Sequence, residues 1–117
     1  MERVIIVEDH SAFAQALELV LGQVDGTEVA LVRAGRREGP DPRRESFELV
    51  VLDLTLPDGE GTELIDYLRQ RRPETPVDIL SAREDVDETA SKAGADLAIP
   101  KETPLPDIIS TLRQLAR

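Results

Sequence analysis

The sequence predicts an α/β fold built on a parallel sheet, and three observations carry that prediction. Short apolar runs at residues 4–7, 28–32, 49–52, 77–80 and 96–99 alternate with segments of helical periodicity. The run Leu49-Val50-Val51-Leu52 holds no polar residue, as expected of a strand covered on both faces. Polar residues gather where the runs end: Glu8 and Asp9, Asp53, Ser81 and Lys101. In an open α/β sheet that end is where ligands bind. Parallel strands need crossovers, and right-handed crossovers put helices on both faces, so three layers are expected.

Each element has its own local reason. Arg3-Val4-Ile5-Ile6-Val7 forms the first strand and stops at Glu8-Asp9-His10. Ser11 can cap the following helix, in which Phe13, Ala16, Leu17, Val20, Leu21 and Val24 recur at helical spacing along one face. Gly22 and Asp25-Gly26 mark its end, and residues 28–32 are the second strand. Segment 34–46 carries Gly35, Gly39, Pro40 and Pro42 among Arg36, Arg37, Arg43 and Arg44. A helix of ordinary length cannot pass those breakers. A loop with at most a turn or two of helix is expected, its arginines solvated more readily than gathered into a partner-facing patch.

Leu49 to Leu52 is the third strand, followed by Asp53 and stopped by Pro57-Asp58-Gly59. A helix opens at Gly61 or Thr62, with Leu64, Ile65 and Leu68 on one face; Arg69, Arg71 and Arg72 near its end suit the helix dipole, and Pro73 and Pro76 terminate it. Residues 77–80 form the fourth strand, closing in Ser81-Ala82. Residues 85–93 read as a short, weakly amphipathic helix with Gly94 as its C′ residue. Residues 96–99 are the fifth strand, followed by Pro100-Lys101. Thr103 or Pro104 opens a last helix, with Leu105, Ile108, Ile109, Leu112 and Leu115 on one face. No repeat or linker interrupts the pattern, so residues 1–117 read as one domain.

Composition excludes several functions. A formal net charge of −10 argues against direct nucleic-acid binding by this domain. Without cysteine there is neither disulfide nor thiol chemistry. The chain has no signal-peptide pattern and no apolar run of membrane-spanning length, so no membrane association and a cytoplasmic location are expected.

The strand-end residues point to one chemistry. Asp53 alone could be a turn-capping aspartate. Four strand ends each supplying a charge or a hydroxyl favour a reactive carboxylate at the sheet mouth. Glu8, Asp9 and Asp53 together need a compensating cation, and a hard divalent ion, Mg2+, suits carboxylate and carbonyl oxygens. His10 is the single histidine, which argues against zinc. Asp53 as nucleophile, Lys101 as fixed cation and Ser81 as hydroxyl donor make a site for phosphoryl transfer. The chain has no P-loop and no evident base to activate water, so the site is built to receive and hold a phosphoryl group.

Placed in order, Val7-Glu8-Asp9-His10, Val51-Leu52-Asp53-Leu54-Thr55-Leu56-Pro57-Asp58-Gly59, Leu80-Ser81-Ala82 and Ala93-Gly94-Ala95-Asp96 leading to Lys101 resemble the receiver domain of two-component response regulators over essentially the whole chain. The resemblance implies a flavodoxin-like (βα)5 three-layer sandwich with strand order 2-1-3-4-5 and, here, an irregular or shortened second helix. It implies Asp53 as phosphoacceptor, fed by a sensor histidine kinase. Asp9, Asp53 and the Thr55 main-chain carbonyl would ligate Mg2+, with Glu8 acting largely through water. It gives Ser81 the part of the switch hydroxyl, Lys101 that of the phosphoryl-binding lysine, and Thr55 and Arg83 the positions that influence phosphoryl lifetime. Such a domain is a phosphoacceptor and not an enzyme beyond slow self-catalysed phosphorylation and dephosphorylation. Glu-Asp-His and Lys-Glu look most like regulators with a helix-turn-helix DNA-binding output. Homodimerisation through the face of the last two helices and the fifth strand is implied as well.

Three departures from the family pattern stand out. Ala98 occupies a position that is often aromatic, so the aromatic part of the switch is missing. Proline precedes Lys101 where many members have it following, which could displace the lysine. The Arg- and Pro-rich segment replaces a regular second helix. Two competing readings follow: a phosphorylation-independent pseudo-receiver module, favoured by Ala98 and Pro100, and an aspartyl-phosphate hydrolase of the haloacid dehalogenase type. The latter wants a second aspartate where Thr55 stands. A flavin binder is disfavoured by an aromatic content of only 3%.

Overall fold

The computed structural model describes residues 3–8, 12–33, 39–53, 60–81 and 94–116, with the backbone alone at 60–62 and 81. Five strands, β1 (Arg3–Glu8), β2 (Glu28–Arg33), β3 (Leu49–Asp53), β4 (Val77–Ser81) and β5 (Leu97–Pro100), form one sheet in the order β2-β1-β3-β4-β5. Every pairing is parallel. Three helices lie among the described residues: α1 (Ala12–Leu21), α2 (Glu60–Arg71) and α3 (Leu105–Leu115). The α/β class and the order 2-1-3-4-5 are thus as expected.

Strand alternation divides the core into two layers. On one face, Ile5, Val7, Val50, Leu52, Val77 and Ile79 pack with Leu64, Ile65 and Leu68 of α2. On the other, Val4, Ile6, Leu49, Val51, Leu80 and Ile99 pack with Leu17 and Leu21 of α1 and Ile108, Ile109 and Leu112 of α3. Burying each such side chain contributes roughly 1.5–3 kcal/mol. All five residues of β3 are buried, which is why the run 49–52 can do without polar residues. β2 and β5 are the sheet edges and are only partly covered.

The structure corrects several details. The expected α1 face packs on the sheet, with Leu17 and Leu21 buried and Phe13, Val20 and Val24 against the same core; Ala16 is exposed and Ala14 is buried in its stead. β5 begins one residue later than expected because Asp96 is a cap: its Oδ2 accepts the Val77 N–H at 2.8 Å. Within 39–46 the loop is as expected, with one capped turn and no helix. Asp41 Oδ1 accepts the Arg43 N–H at 2.8 Å, and Glu45 Oε2 accepts the Asp41 N–H at 3.2 Å. Arg43 pairs with Asp41 at 3.7 Å, and Arg44 donates to the Gly39 carbonyl at 3.0 Å. Both arginines serve the turn itself; Arg36 and Arg37 lie outside the described residues, as does the expected helix at 85–93.

Arg69 does more than complement a helix dipole. Its guanidinium donates to the carbonyls of Gly94 at 2.8 Å and of Pro73 and Thr75 at 3.0 Å, and to Asp96 Oδ2 at 2.6 Å. One side chain thereby ties the end of α2 to the starts of β4 and β5. Gly94 has φ +93°, the left-handed conformation anticipated for a C′ residue.

Candidate functional site

Parallel pairing brings the carboxyl ends of β1, β3, β4 and β5 to one edge of the sheet. Glu8 is the register partner of Asp53, Asp53 that of Leu80, and Ser81 that of Pro100. Asp53 is fully buried, held by a strand that cannot shift without exposing its apolar neighbours. Lys101, one residue past β5, reaches across β4 and places its Nζ 2.5 Å from Asp53 Oδ1. Its side chain is 17% exposed, so the ion pair is largely shielded from water. Pro100 therefore does not displace the lysine. It ends β5 on the sheet edge, where a missing N–H is tolerated.

A buried charge pair needs its remaining polar atoms occupied. Asp53 Oδ2 has no hydrogen-bond partner among the described residues. Glu8, also buried, is held by Arg33 Nε at 3.6 Å, its register partner at the end of β2. Lys101 Nζ lies 5.9 Å from the ring centre of Phe13 in the first turn of α1, near the outer limit of a cation–π contact. The assembly is a carboxylate with one oxygen on an ammonium and the other unsatisfied, beside a second carboxylate. It is a donor set of oxygens only, suited to a hard cation or to an incoming group with electropositive phosphorus.

Of the residues singled out from the sequence, the structure brings Glu8, Asp53 and Lys101 together and puts the Ser81 backbone at the same edge. Asp9, His10, Thr55 and Arg83 lie outside the described residues. Glu8 and Asp53 are two carboxylates of the expected metal set, and among the described residues no cluster of three metal-ligating side chains forms. Asp53 Oδ2, buried and without a hydrogen-bond partner among the described residues, is suited to be an oxygen ligand for a hard cation. Ala98 packs against the α2-side core, opposite the face carrying α1 and α3.

Arg33 and Phe13 were not anticipated as neighbours of the site. Arg33 is legible only once the β1–β2 register is known. Phe13 reads as a core residue because it opens the apolar stripe, yet a helix that begins right after the acidic strand end must start beside it.

The family model described as "Response regulator receiver domain" matches residues 4–113. Among curated proteins, the chain is 36% identical over 98 residues to the response regulator protein PilR of Pseudomonas aeruginosa, covering 80% of this chain and 21% of that one. It is 33% identical over 118 residues to the cell cycle transcriptional regulator CtrA of Caulobacter vibrioides, covering 98% of this chain and 50% of that one. The chain thus spans half or less of the length of these relatives. A solved response regulator receiver domain protein from Methanospirillum hungatei superposes with a TM-score of 0.79 at 28% identity, covering 99% of this chain and 94% of that one.

Proposed function

The chain belongs to the response regulator receiver domain family, and on that footing we propose that it is a phosphorylation-operated switch in which Asp53 accepts a phosphoryl group from a sensor histidine kinase. The observation that carries this reading is the state of Asp53: fully buried, Oδ1 on Lys101, Oδ2 unsatisfied, at the sheet mouth beside Glu8. In the transfer, an Asp53 oxygen attacks phosphorus as the phosphorus–nitrogen bond of the phosphohistidine breaks. The imidazole leaves and takes a proton, and an aspartyl acyl phosphate remains. Lys101 neutralises charge on the phosphoryl oxygens, and the Ser81 hydroxyl donates to one of them.

Mg2+ is the cofactor this reading requires; when bound it offsets the charge of the carboxylates and of the phosphoryl oxygens. Asp9, Asp53 and the Thr55 main-chain carbonyl would hold it directly, with Glu8 through water. The domain receives and holds the group and is not a rapid hydrolase. Its partners are the kinase, a second copy through the helix expected at 85–93, β5 and α3, and a helix-turn-helix output, in keeping with relatives named as transcriptional regulators. Among the described residues no helix is long and apolar enough to cross a membrane; a cytoplasmic location belongs to the same proposal.

A small acyl-phosphate donor with Mg2+ should add one phosphoryl mass to the wild-type chain and none to Asp53→Asn. An unmodified wild-type chain would remove the centre of this reading. The phosphorylation-independent module is the second reading, resting on Ala98, which leaves no aromatic side chain to swing on activation. Beryllofluoride with Mg2+ separates the two. Amide shifts reaching β5 and α3 belong to a working switch, and shifts confined to the pocket belong to the module.

A further inference from the structure

A second fully buried carboxylate lies away from the site. Asp78, the second residue of β4, is 0% exposed, and neither of its oxygens has a hydrogen-bond partner among the described residues. Its register partners are Val51 on β3 and Leu97 on β5. Val77 and Ile79 face α2, so alternation turns Asp78 to the opposite face, with Leu80 and Val51, under α1 and α3. β4 is paired on both sides, so its backbone cannot swing out to wet the side chain. We propose that Asp78 is a buried proton-holding acid that makes the attachment of β5 and α3 to the sheet sensitive to pH, loosening that side of the domain as the surroundings become alkaline.

Among the described residues, the charged groups around this layer are occupied elsewhere or point to solvent. On β3 and just past β5, Asp53 and Lys101 hold each other. On β1, Arg3 pairs with Glu45 and Glu8 with Arg33. Glu18 of α1 is only partly buried, and Asp107 and Arg113 of α3 are exposed. With no cation at hand among the described residues, a carboxylate here has two ways to avoid an unsolvated charge: keep its proton, or admit water. Burial alone pushes the Asp78 carboxyl up to about 8. Water has one economical way in. β1 and β3 are closed on both edges and both faces, whereas β5 is a part-exposed edge strand covered by α3. The opening therefore falls on β5 and α3.

The test uses the whole chain as wild type, Asp78→Asn and Asp78→Val, unfolded in urea from pH 5 to pH 9, together with a carboxyl 13C NMR titration of the folded wild type. Between about pH 5 and 7 the wild-type unfolding constant should carry an extra rise of about tenfold per pH unit, levelling near pH 8 and absent in both variants. The Asp78 carboxyl resonance should titrate on the alkaline side of neutrality, with accompanying amide shifts concentrated in β5 and α3. An Asp78 resonance that titrates in the ordinary acidic range overturns the proposal, as does a pH profile unchanged in Asp78→Val. Shifts concentrated in β1 and β2 would overturn the assignment of the opening to β5 and α3. Should a variant fail to fold, the wild-type titration decides alone.

Discussion

Asp53 and Asp78 are fully buried aspartates on adjacent strands of one sheet, each with a carboxyl oxygen that has no hydrogen-bond partner among the described residues, yet they stand at different heights in it. Asp53 is level with Leu80, whereas Asp78 is level with Val51, two residues or about 7 Å further from the sheet mouth. That distance separates a position where loops deliver charge from one where only strands and helices lie alongside. Asp53 meets Lys101 because the chain leaving β5 must pass the same edge. Asp78 meets apolar side chains because helix faces packed on a sheet are apolar by construction. In a parallel sheet, therefore, the depth of a carboxylate along its strand decides whether a loop cation can reach it.

The largest effect expected from breaking this contrast is chemical. Asp53→Asn should abolish phosphoryl acceptance while leaving Asp78 and its pH behaviour unchanged, checked by intact mass after acyl-phosphate treatment and by the 13C titration. Next comes the ion pair. Lys101→Met strands a buried carboxylate and should cost about 3–5 kcal/mol in urea unfolding. Asp53→Asn with Lys101→Met should cost less than the two single losses added together, because the pair acts as a unit.

At Asp78 the sign reverses: removing the acid should stabilise. The folded value of about 8 lies above the ordinary 3.8, so the folded state holds a proton that the unfolded state releases. Stability is fully present below about pH 4 and is lost as pH rises toward 8. Asp78→Val should therefore stabilise more at pH 7 than at pH 4, the difference between the two pH values being about 4 kcal/mol, read from urea midpoints at each.

The contrast also separates what the sequence makes legible from what it does not. The strands, their layering and the gathering of Glu8, Asp53 and Lys101 follow from apolar runs that end in polar residues, because burial and strand ends write themselves locally. Asp78 is printed in the sequence as plainly as Asp53, but Val77-Asp78-Ile79-Leu80 resembles the alternation of a half-exposed strand. Its signal was the strand's context: a strand with crossovers on both sides has two covered faces, so its polar residue has no outer face to occupy. Arg69, Arg33 and Phe13 take their roles from partners distant in sequence, Gly94 and Asp96, Glu8, and Lys101. Periodicity cannot supply such pairings. In α1 the expected face holds except at Ala16, for a related reason: Ala14 and Ala16 are equally apolar, and only the packing of the helix on the sheet decides between them.

The smallest expected effect sharpens the comparison from the acid side. Glu45, on the surface turn, has its carboxyl held below the usual range by the hydrogen bond from Arg3, then by the Asp41 backbone N–H. Its folded value is lowered, so its contribution is present above the ordinary 4.5 and lost as pH falls through the folded value. That is the opposite limb of the pH profile from Asp78. Glu45→Gln should trim the acid limb slightly and leave the slope between pH 5 and 8 untouched, whereas Asp78→Asn should do the reverse. Urea midpoints across pH 2 to 9 for the two variants and their combination would show the two limbs moving independently. An alkaline slope altered by Glu45→Gln would mean that the turn and the sheet interior share a titration, and the attribution of that slope to burial of Asp78 would fail.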